Sequence, residues 1–244
     1  MKDLKACTEA KNNSKEEVAN AKDKMLQHIK NTTNESAEEK PLSIDERRIR
    51  ALNEKFKEVT FDNKLKEIRQ NIGNRLSPAL KYIANNIGKD ELVNRITAAT
   101  FTGEDADALA SYQNGTITLN TLFFGINASK ENIEALKDPA NSLTVTIYHE
   151  QMHHSYSRHF KDDKTIEKFY NDHKEYLVKH FELHSYEEKD RVEEFFVEAM
   201  AHLMSGILIE KDNKDPNNKS NNDLYDFIKG KLNLLKPKEN EKAK

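Results

Sequence analysis

The chain has 244 residues, of which 36% are hydrophobic and 33% are charged, and its net charge is only −3. Without a basic excess, the composition argues against a nucleic-acid-binding protein. The single cysteine, Cys7, excludes an internal disulfide and a zinc site built from several thiolates. No segment has the length and apolar character of a membrane span. The length fits one sizeable domain, and the low apolar content indicates that part of the chain lies outside it.

Both ends of the chain are polar. Residues 1–42 are rich in Lys, Glu, Asn, Ser and Thr and poor in large apolar side chains, a composition typical of disordered segments. We therefore predict a disordered tail over 1–42, with a weak helix from Glu16 to Ile29, and a second disordered tail over 237–244. The folded domain is expected to span 43–236.

The N-terminus lacks the apolar core of a signal peptide. We therefore expect a protein that stays in the cytoplasm, or one that is secreted or injected by a route that needs no signal peptide. An alternative comes from Leu4-Lys5-Ala6-Cys7, which resembles the end of a bacterial lipoprotein signal. If a leader preceded these residues and was removed, Cys7 would carry the lipid of a surface lipoprotein.

The first part of the domain, 43–99, is predicted to be helical. The run Ser43-Ile44-Asp45-Glu46 matches a capping box and should start a helix. A second helix is predicted over 63–71, and a third begins at Ser77-Pro78, where proline fits the first helical position. The side chains expected to face the core are those of Ile49, Leu52, Phe56, Leu80, Tyr82 and Ile83.

The second part, 100–236, combines a hairpin with helices. Asn114-Gly115 separates two short runs, 108–113 and 116–120, and is a strong local signal for a β-hairpin. A helix that Ser142 can cap is predicted from 142 to 159. Further helices are predicted at 129–137, 164–180, 190–205 and 224–235, the third of these ending at Gly206. The fold class is therefore α+β and rich in helices.

The most informative stretch is His149-Glu150-Gln151-Met152-His153, an H-E-x-x-H motif on the predicted helix 142–159. Histidines at i and i+4 project from the same helix face and can bind one ion at the usual Zn–N distance of about 2.0–2.1 Å. Glu150 lies beside them, where it can take a proton from a bound water. The sequence therefore predicts one zinc ion on His149 and His153, with Glu150 as general base. The alternative is a polar surface helix that is rich in histidine.

Two histidines do not complete a catalytic zinc site, so a third ligand must come from elsewhere. One candidate is His159, in a pattern H-E-x-x-H-x-x-Y-x-x-H that is close to that of the metzincins. That pattern needs a sharp turn at a glycine, and Tyr156 stands there instead. On a helix that continues, His159 lies about 240° around from His153.

The better candidate is Glu194, which lies 41 residues beyond His153. Glu194, Glu198 and His202 share one face of the predicted helix 190–205. Glu198 can therefore accept a hydrogen bond from a ligand imidazole and fix its tautomer. His202 is expected to be a helix-end residue and not a ligand. The alternative for both glutamates is an ordinary charged stripe on a helix.

These residues carry a family resemblance. The third-ligand helix of the lethal-factor-like toxin metallopeptidases contains E-F-F-A-E-A, and this chain resembles it at Glu194-Phe195-Phe196-Val197-Glu198-Ala199. Leu183-His184-Ser185-Tyr186 is similar to the family's L-T-S-Y segment, although it lies one residue farther from the glutamate. The resemblance, which covers roughly 100–235, implies a gluzincin-type zinc site with Glu194 as third ligand. It also implies that Glu198 supports the ligands and that Tyr186 donates to the oxyanion.

We therefore predict a zincin-like metallopeptidase domain over 43–236, with an N-terminal helical part (43–99) to which the resemblance does not extend and a catalytic core (100–236) to which it does. In this fold a small twisted sheet that holds the hairpin lies over the zinc helix. By analogy with zincins, a hairpin strand within 108–120 forms the sheet edge on which an extended peptide lies.

We therefore expect a monomeric zinc endopeptidase that acts on a peptide or protein and uses His149, His153 and Glu194 as metal ligands. Three alternatives remain open. The first is a catalytically inactive zincin-like binding protein or effector. The second is a metzincin-like enzyme that uses His159, and the third is a metal-free helical structural module.

Overall fold

Helices dominate the part of the chain that the computed structural model describes, which is residues 42–211, 215 and 218–236. The helices there are α1 (Ile44–Lys55), α2 (Gln70–Asn86), α3 (Thr121–Phe124), α4 (Lys130–Ala135), α5 (Leu143–Ser155), α6 (Lys164–His180), α7 (Arg191–Ser205) and α8 (Lys219–Leu234). The strands are β1 (Thr60–Phe61), β2 (Arg95–Ala99), β3 (Ala110–Gln113) and β4 (Thr116–Asn120). The α-rich α+β class is thereby confirmed. The predicted tails, the weak helix at 16–29 and Cys7 lie outside the described residues, apart from Leu42.

The four strands form one mixed sheet in the order β1-β2-β4-β3. β1, β2 and β4 are parallel, whereas β3 runs antiparallel to β4 and forms an edge of the sheet. The hairpin predicted at Asn114-Gly115 is confirmed. Both residues have positive φ, 47° and 77°, as a two-residue hairpin turn of this kind requires.

Two of the strands come from the segment 43–99, for which the sequence predicts helices only. β1 has two residues, and β2 contains two alanines, which are weak strand formers. β2 is nevertheless buried on one face, at Ile96 and Ala98, and it pairs with a parallel strand on each side. The pairing is between distant segments, which local sequence patterns do not reveal.

The predicted helix starts in this segment are partly wrong. Residues 63–67 form a short 3-10 turn, and α2 runs from Gln70 straight through Pro78. Proline is tolerated inside this helix because both Pro78 and Asn74, whose carbonyl loses its partner, are exposed to water. Of the predicted core residues, Tyr82 is 38% exposed, with its ring 5.4 Å from that of Tyr148. The other five are buried: Ile49, Leu52, Phe56, Leu80 and Ile83.

Helix α5 occupies the centre of the fold. Its N-terminus is capped by Ser142, whose hydroxyl accepts a hydrogen bond from the Val145 N–H. Beyond Ser155 the chain continues as a π-helical turn, Tyr156–Phe160, instead of ending at a sharp bend. α5 packs against α2, α7 and β3, so elements from both predicted parts of the domain contact it.

Helix α7 is held in one rotational setting by its apolar face. The fully buried side chains on it are those of Phe195, Phe196, Val197, Ala199, Met200 and Ala201. The helix ends at Gly206, which has a φ of 77°, the left-handed conformation that glycine adopts most readily after a helix. Within the described residues, no helix is both long and apolar enough to cross a membrane.

Gln151, which lies inside the H-E-x-x-H motif, links α5 through side-chain hydrogen bonds to the segment that precedes β2. Its side chain is fully buried; Oε1 accepts a hydrogen bond from the Val93 N–H at 3.1 Å, and Nε2 donates to the Glu91 carbonyl at 2.5 Å. Val93 is also fully buried, so water does not replace the amide. This residue therefore positions the helix that carries both histidines.

Replacing Gln151 by Leu should lower the free energy of unfolding by about 1–3 kcal/mol, because the buried Val93 N–H loses its acceptor. Urea denaturation measures this change. Gln113→Leu, at an exposed position of β3, is the control and should stay within about 0.5 kcal/mol of wild type. Equal stability of the two variants would contradict the structural role of Gln151.

Candidate metal site

Two helices bring the predicted metal ligands together. His149 and His153 lie on α5 and Glu194 lies on α7, and one possible ligand atom from each falls within 4.8 Å of the others. The two Nε2 atoms are 3.1 Å apart, and the Glu194 oxygens lie 3.6 Å from Nε2 of His149 and 3.7 Å from Nε2 of His153. Ligand atoms on a tetrahedral zinc ion are about 3.3 Å apart. The observed separations bracket that value.

The packing of α7 explains how Glu194 reaches the histidines. Phe195 and Phe196 are fully buried, so the helix cannot rotate without exposing them. Glu194 and Glu198, one turn apart, lie on the face that meets α5. The same apolar packing therefore fixes the direction in which both carboxylates point.

A carboxylate supports each imidazole from the side opposite to Nε2. Nδ1 of His149 lies 2.6 Å from Oε2 of Glu198, and Nδ1 of His153 lies 2.7 Å from Oε1 of Glu193. Carboxylates accept hydrogen bonds, so both Nδ1 atoms carry hydrogen and both Nε2 atoms are left free to bind a cation. Glu198 stands where the sequence predicts it. The sequence does not indicate the contact of Glu193 with His153. Glu193 and Glu194 have the same side chain, and only the orientation of the helix directs them to different atoms.

The electrostatics of the site favour positive charge. Burial alone would lower the pKa of His149, but the hydrogen bond to Glu198 and the charges of Glu150, Glu198 and Glu194 raise it to about 9. Burial raises the pKa of Glu194. Because both Nδ1 atoms donate to carboxylates, the 3.1 Å contact between the Nε2 atoms is a hydrogen bond only when one of the two imidazoles carries an additional proton. A cation that accepts both nitrogen lone pairs can replace that proton.

Glu150 and Tyr186 line the same cleft, which has a volume of about 860 Å³. Glu150 is 6% exposed, and burial raises the pKa of its carboxyl. Tyr186 is 41% exposed; partial burial and then the charges of Glu194, Glu198 and Glu150 raise its pKa to about 12. At neutral pH its phenol therefore keeps its proton and can donate a hydrogen bond into the cleft.

His159, the alternative third ligand, lies elsewhere. It belongs to the π-helical turn, and its Nε2 lies 2.8 Å from Oε2 of Glu91. Tyr156 has a φ of −59° and a ψ of −51°, so the chain continues as a helix where the metzincin pattern needs a turn. The structure therefore does not bring His159 to His149 and His153.

Strand β3 forms one wall of the cleft and contacts α5 through Tyr112. The Tyr112 hydroxyl lies 2.9 Å from Nδ1 of His154, and its ring is nearly parallel to that of His153, with centroids 6.3 Å apart. His154 is 7% exposed, and burial followed by the charge of Arg158 lowers its pKa. Neither Tyr112 nor His154 was singled out from the sequence, because their contact joins a strand to a helix 42 residues away.

Comparisons with models of known protein families, with curated proteins and with solved structures give no match.

The wild-type protein should bind one zinc ion per chain, and Glu194→Ala should weaken binding more than about 100-fold, since even supporting carboxylates commonly contribute 10- to 100-fold. Competition with a chromophoric chelator measures the affinity. His159→Ala is the matched control and should bind zinc like wild type. Zinc binding that survives Glu194→Ala but not His159→Ala would reverse the ligand assignment.

Proposed function

We propose that the protein is a zinc-dependent endopeptidase in which His149, His153 and Glu194 hold the metal. The observation that carries this proposal is the convergence of the two Nε2 atoms and the Glu194 carboxylate within 4.8 Å, in the wall of an open cleft. The resemblance of the chain to lethal-factor-like toxin metallopeptidases supports the same assignment.

The donor set suits zinc. Two imidazole nitrogens and one carboxylate oxygen are ligands that zinc binds readily, and three protein ligands are typical of catalytic zinc sites, whereas structural sites have four. A zinc ion bound here would make a water more acidic and polarise a substrate carbonyl. Glu193 and Glu198 would hold the imidazoles in the tautomer that binds the ion.

Glu150 is the proposed proton carrier. Peptide hydrolysis forms a bond between a water oxygen and the carbonyl carbon and breaks the bond from that carbon to the amide nitrogen. Glu150 takes one proton from the water and delivers it to the departing nitrogen, so the amine leaves neutral. Its nearly complete burial raises the pKa of the carboxyl and makes it a better proton acceptor than an exposed glutamate.

Tyr186 is the proposed donor to the oxyanion. Its phenol lies on the cleft with Glu150 and Glu194, and its raised pKa keeps the donor proton in place. An oxyanion donor contributes about 2.7–4 kcal/mol to transition-state stabilisation. Tyr186 is only partly buried, so a bound substrate would remove much of its remaining contact with water.

We propose that the substrate peptide binds along the outer edge of β3. Asn120 donates its N–H to the Leu109 carbonyl, and Ala110 pairs with Leu119. In an antiparallel ladder the hydrogen-bonded pairs alternate, so the N–H and C=O groups of Ala110 and Tyr112 point away from β4. Ala110 and Tyr112 both line the cleft, and we propose that their outward backbone groups pair with an extended peptide.

Glu150→Gln should keep zinc affinity close to that of wild type and reduce peptide cleavage by about 10²- to 10⁴-fold, because the amide cannot accept the proton. Zinc content and cleavage of a general peptide library measure the two effects. Glu187→Gln, an exposed acid with 73% of its side chain accessible, is the matched control. A wild-type protein that binds zinc but cleaves nothing would favour the inactive binding protein over the enzyme.

Ala110→Pro should raise KM for a long peptide by at least about tenfold, because proline removes an outward N–H from the edge strand. Zinc affinity should not change. Ala110→Val is the matched control, since it adds similar bulk and keeps the N–H. If the proline variant cleaves long peptides with the wild-type KM, the substrate does not pair with β3 at this position.

A further inference from the structure

Three polar side chains lie in a row between α5 and the end of α7, in the order His149, Glu198 and His202. The Glu198 carboxylate stands between the two rings. Its Oε2 lies 2.6 Å from Nδ1 of His149, and its Oε1 lies 3.1 Å from Nε2 of His202. The side chains of His149, Glu198 and His202 are only 17%, 27% and 12% exposed. Each oxygen of the carboxylate therefore has an imidazole partner of its own.

The position of His202 follows from the helix that carries it. Glu198 and His202 are one turn apart on α7, so the two side chains lie along the same face. On its other side the His202 ring meets Phe181, with centroids 5.5 Å apart. Phe181 is 9% exposed and restrains the ring from turning away from Glu198.

The buried Nε2 atom of His202 lies close to the Glu198 carboxylate. In the part of the chain that the structure describes, Nε2 of His202 is buried and makes no hydrogen bond of good geometry. The distance from this nitrogen to the Glu198 carboxylate is 3.1 Å, which suits a hydrogen bond, but the angles at the contact do not. A histidine that merely filled the helix end would place its polar nitrogen in water.

We propose that His202 is a positioning residue for the metal site: it holds Glu198 in the rotamer that accepts the His149 Nδ1–H, and so orients the Nε2 of His149. This inference rests on the proposed function, in which His149 is a zinc ligand. Without His202, one carboxylate oxygen loses its partner and Glu198 regains rotamers that do not reach His149. The ligand imidazole is then less restrained before the metal binds.

The test is a mutant cycle in zinc affinity. His202→Leu, which keeps an apolar contact for Phe181, should weaken zinc binding about 3- to 10-fold, less than loss of a direct carboxylate partner. In a Glu198→Ala background, His202→Leu should lower zinc affinity by less than about twofold, because the carboxylate through which His202 acts is absent. His184→Leu, at an exposed histidine outside this contact, is the control. An equal loss in both backgrounds, or none in wild type, would overturn the proposal.

Two conservative variants separate positioning from folding. His202→Gln can present an N–H where Nε2 stands and should retain wild-type zinc affinity. His202→Asn is too short to reach Glu198 and should behave like His202→Leu. If both variants fold, by circular dichroism, and bind zinc equally well, the contact with Glu198 has no positioning role.

A measurement without metal keeps this inference distinct from the proposed function. Nitrogen NMR of the metal-free protein reports the ring nitrogens of each histidine directly. His202→Asn should move the Nδ1 resonance of His149 in the wild-type background and leave it unmoved when Glu198 is alanine. A wild type that binds no zinc would defeat the proposed function alone. If the Nδ1 resonance of His149 does not move in His202→Asn, the positioning role is wrong, and the proposed function is unaffected.

Discussion

The packing of α7 against α5 is the constraint on which the whole site depends. Phe195 and Phe196 are fully buried and fix the rotation of α7, and this rotation turns the opposite face toward the two histidines. Burying side chains of this size contributes about 1.5–3 kcal/mol each, whereas an exposed ion pair contributes only about 0–1 kcal/mol. The hydrophobic core therefore decides the direction of the acidic groups, and the site is a consequence of that packing.

Several carboxylates lie close together beside two imidazoles, so positive charge in this site reduces their mutual repulsion. Glu194 and Glu198 are both largely removed from water, and burial, followed by the charges of Glu150 and Glu193, raises the pKa of Glu194. In the metal-free protein a proton on His149, whose pKa is raised to about 9, supplies part of the compensation. A divalent cation would supply more, and its binding would release that proton.

Local chemistry decides which parts of this arrangement are visible in the sequence. The hairpin at Asn114-Gly115 and the pairing of His149 with His153 depend on neighbours within a few residues, so the pattern contains the information. β2 and the contact of Tyr112 with His154 depend on segments that meet only in the folded chain. Glu193 and Glu194 are adjacent and chemically identical, and only the rotation of α7 places Glu193 at Nδ1 of His153 and Glu194 beside the two Nε2 atoms.

The most direct test of the account is a crystal structure of the zinc-loaded protein with anomalous diffraction recorded at the zinc edge. The proposed ligand set predicts one strong peak about 2.0–2.2 Å from Nε2 of His149, Nε2 of His153 and a carboxylate oxygen of Glu194. A peak elsewhere, or a Glu194 side chain turned away from the ion, would contradict it.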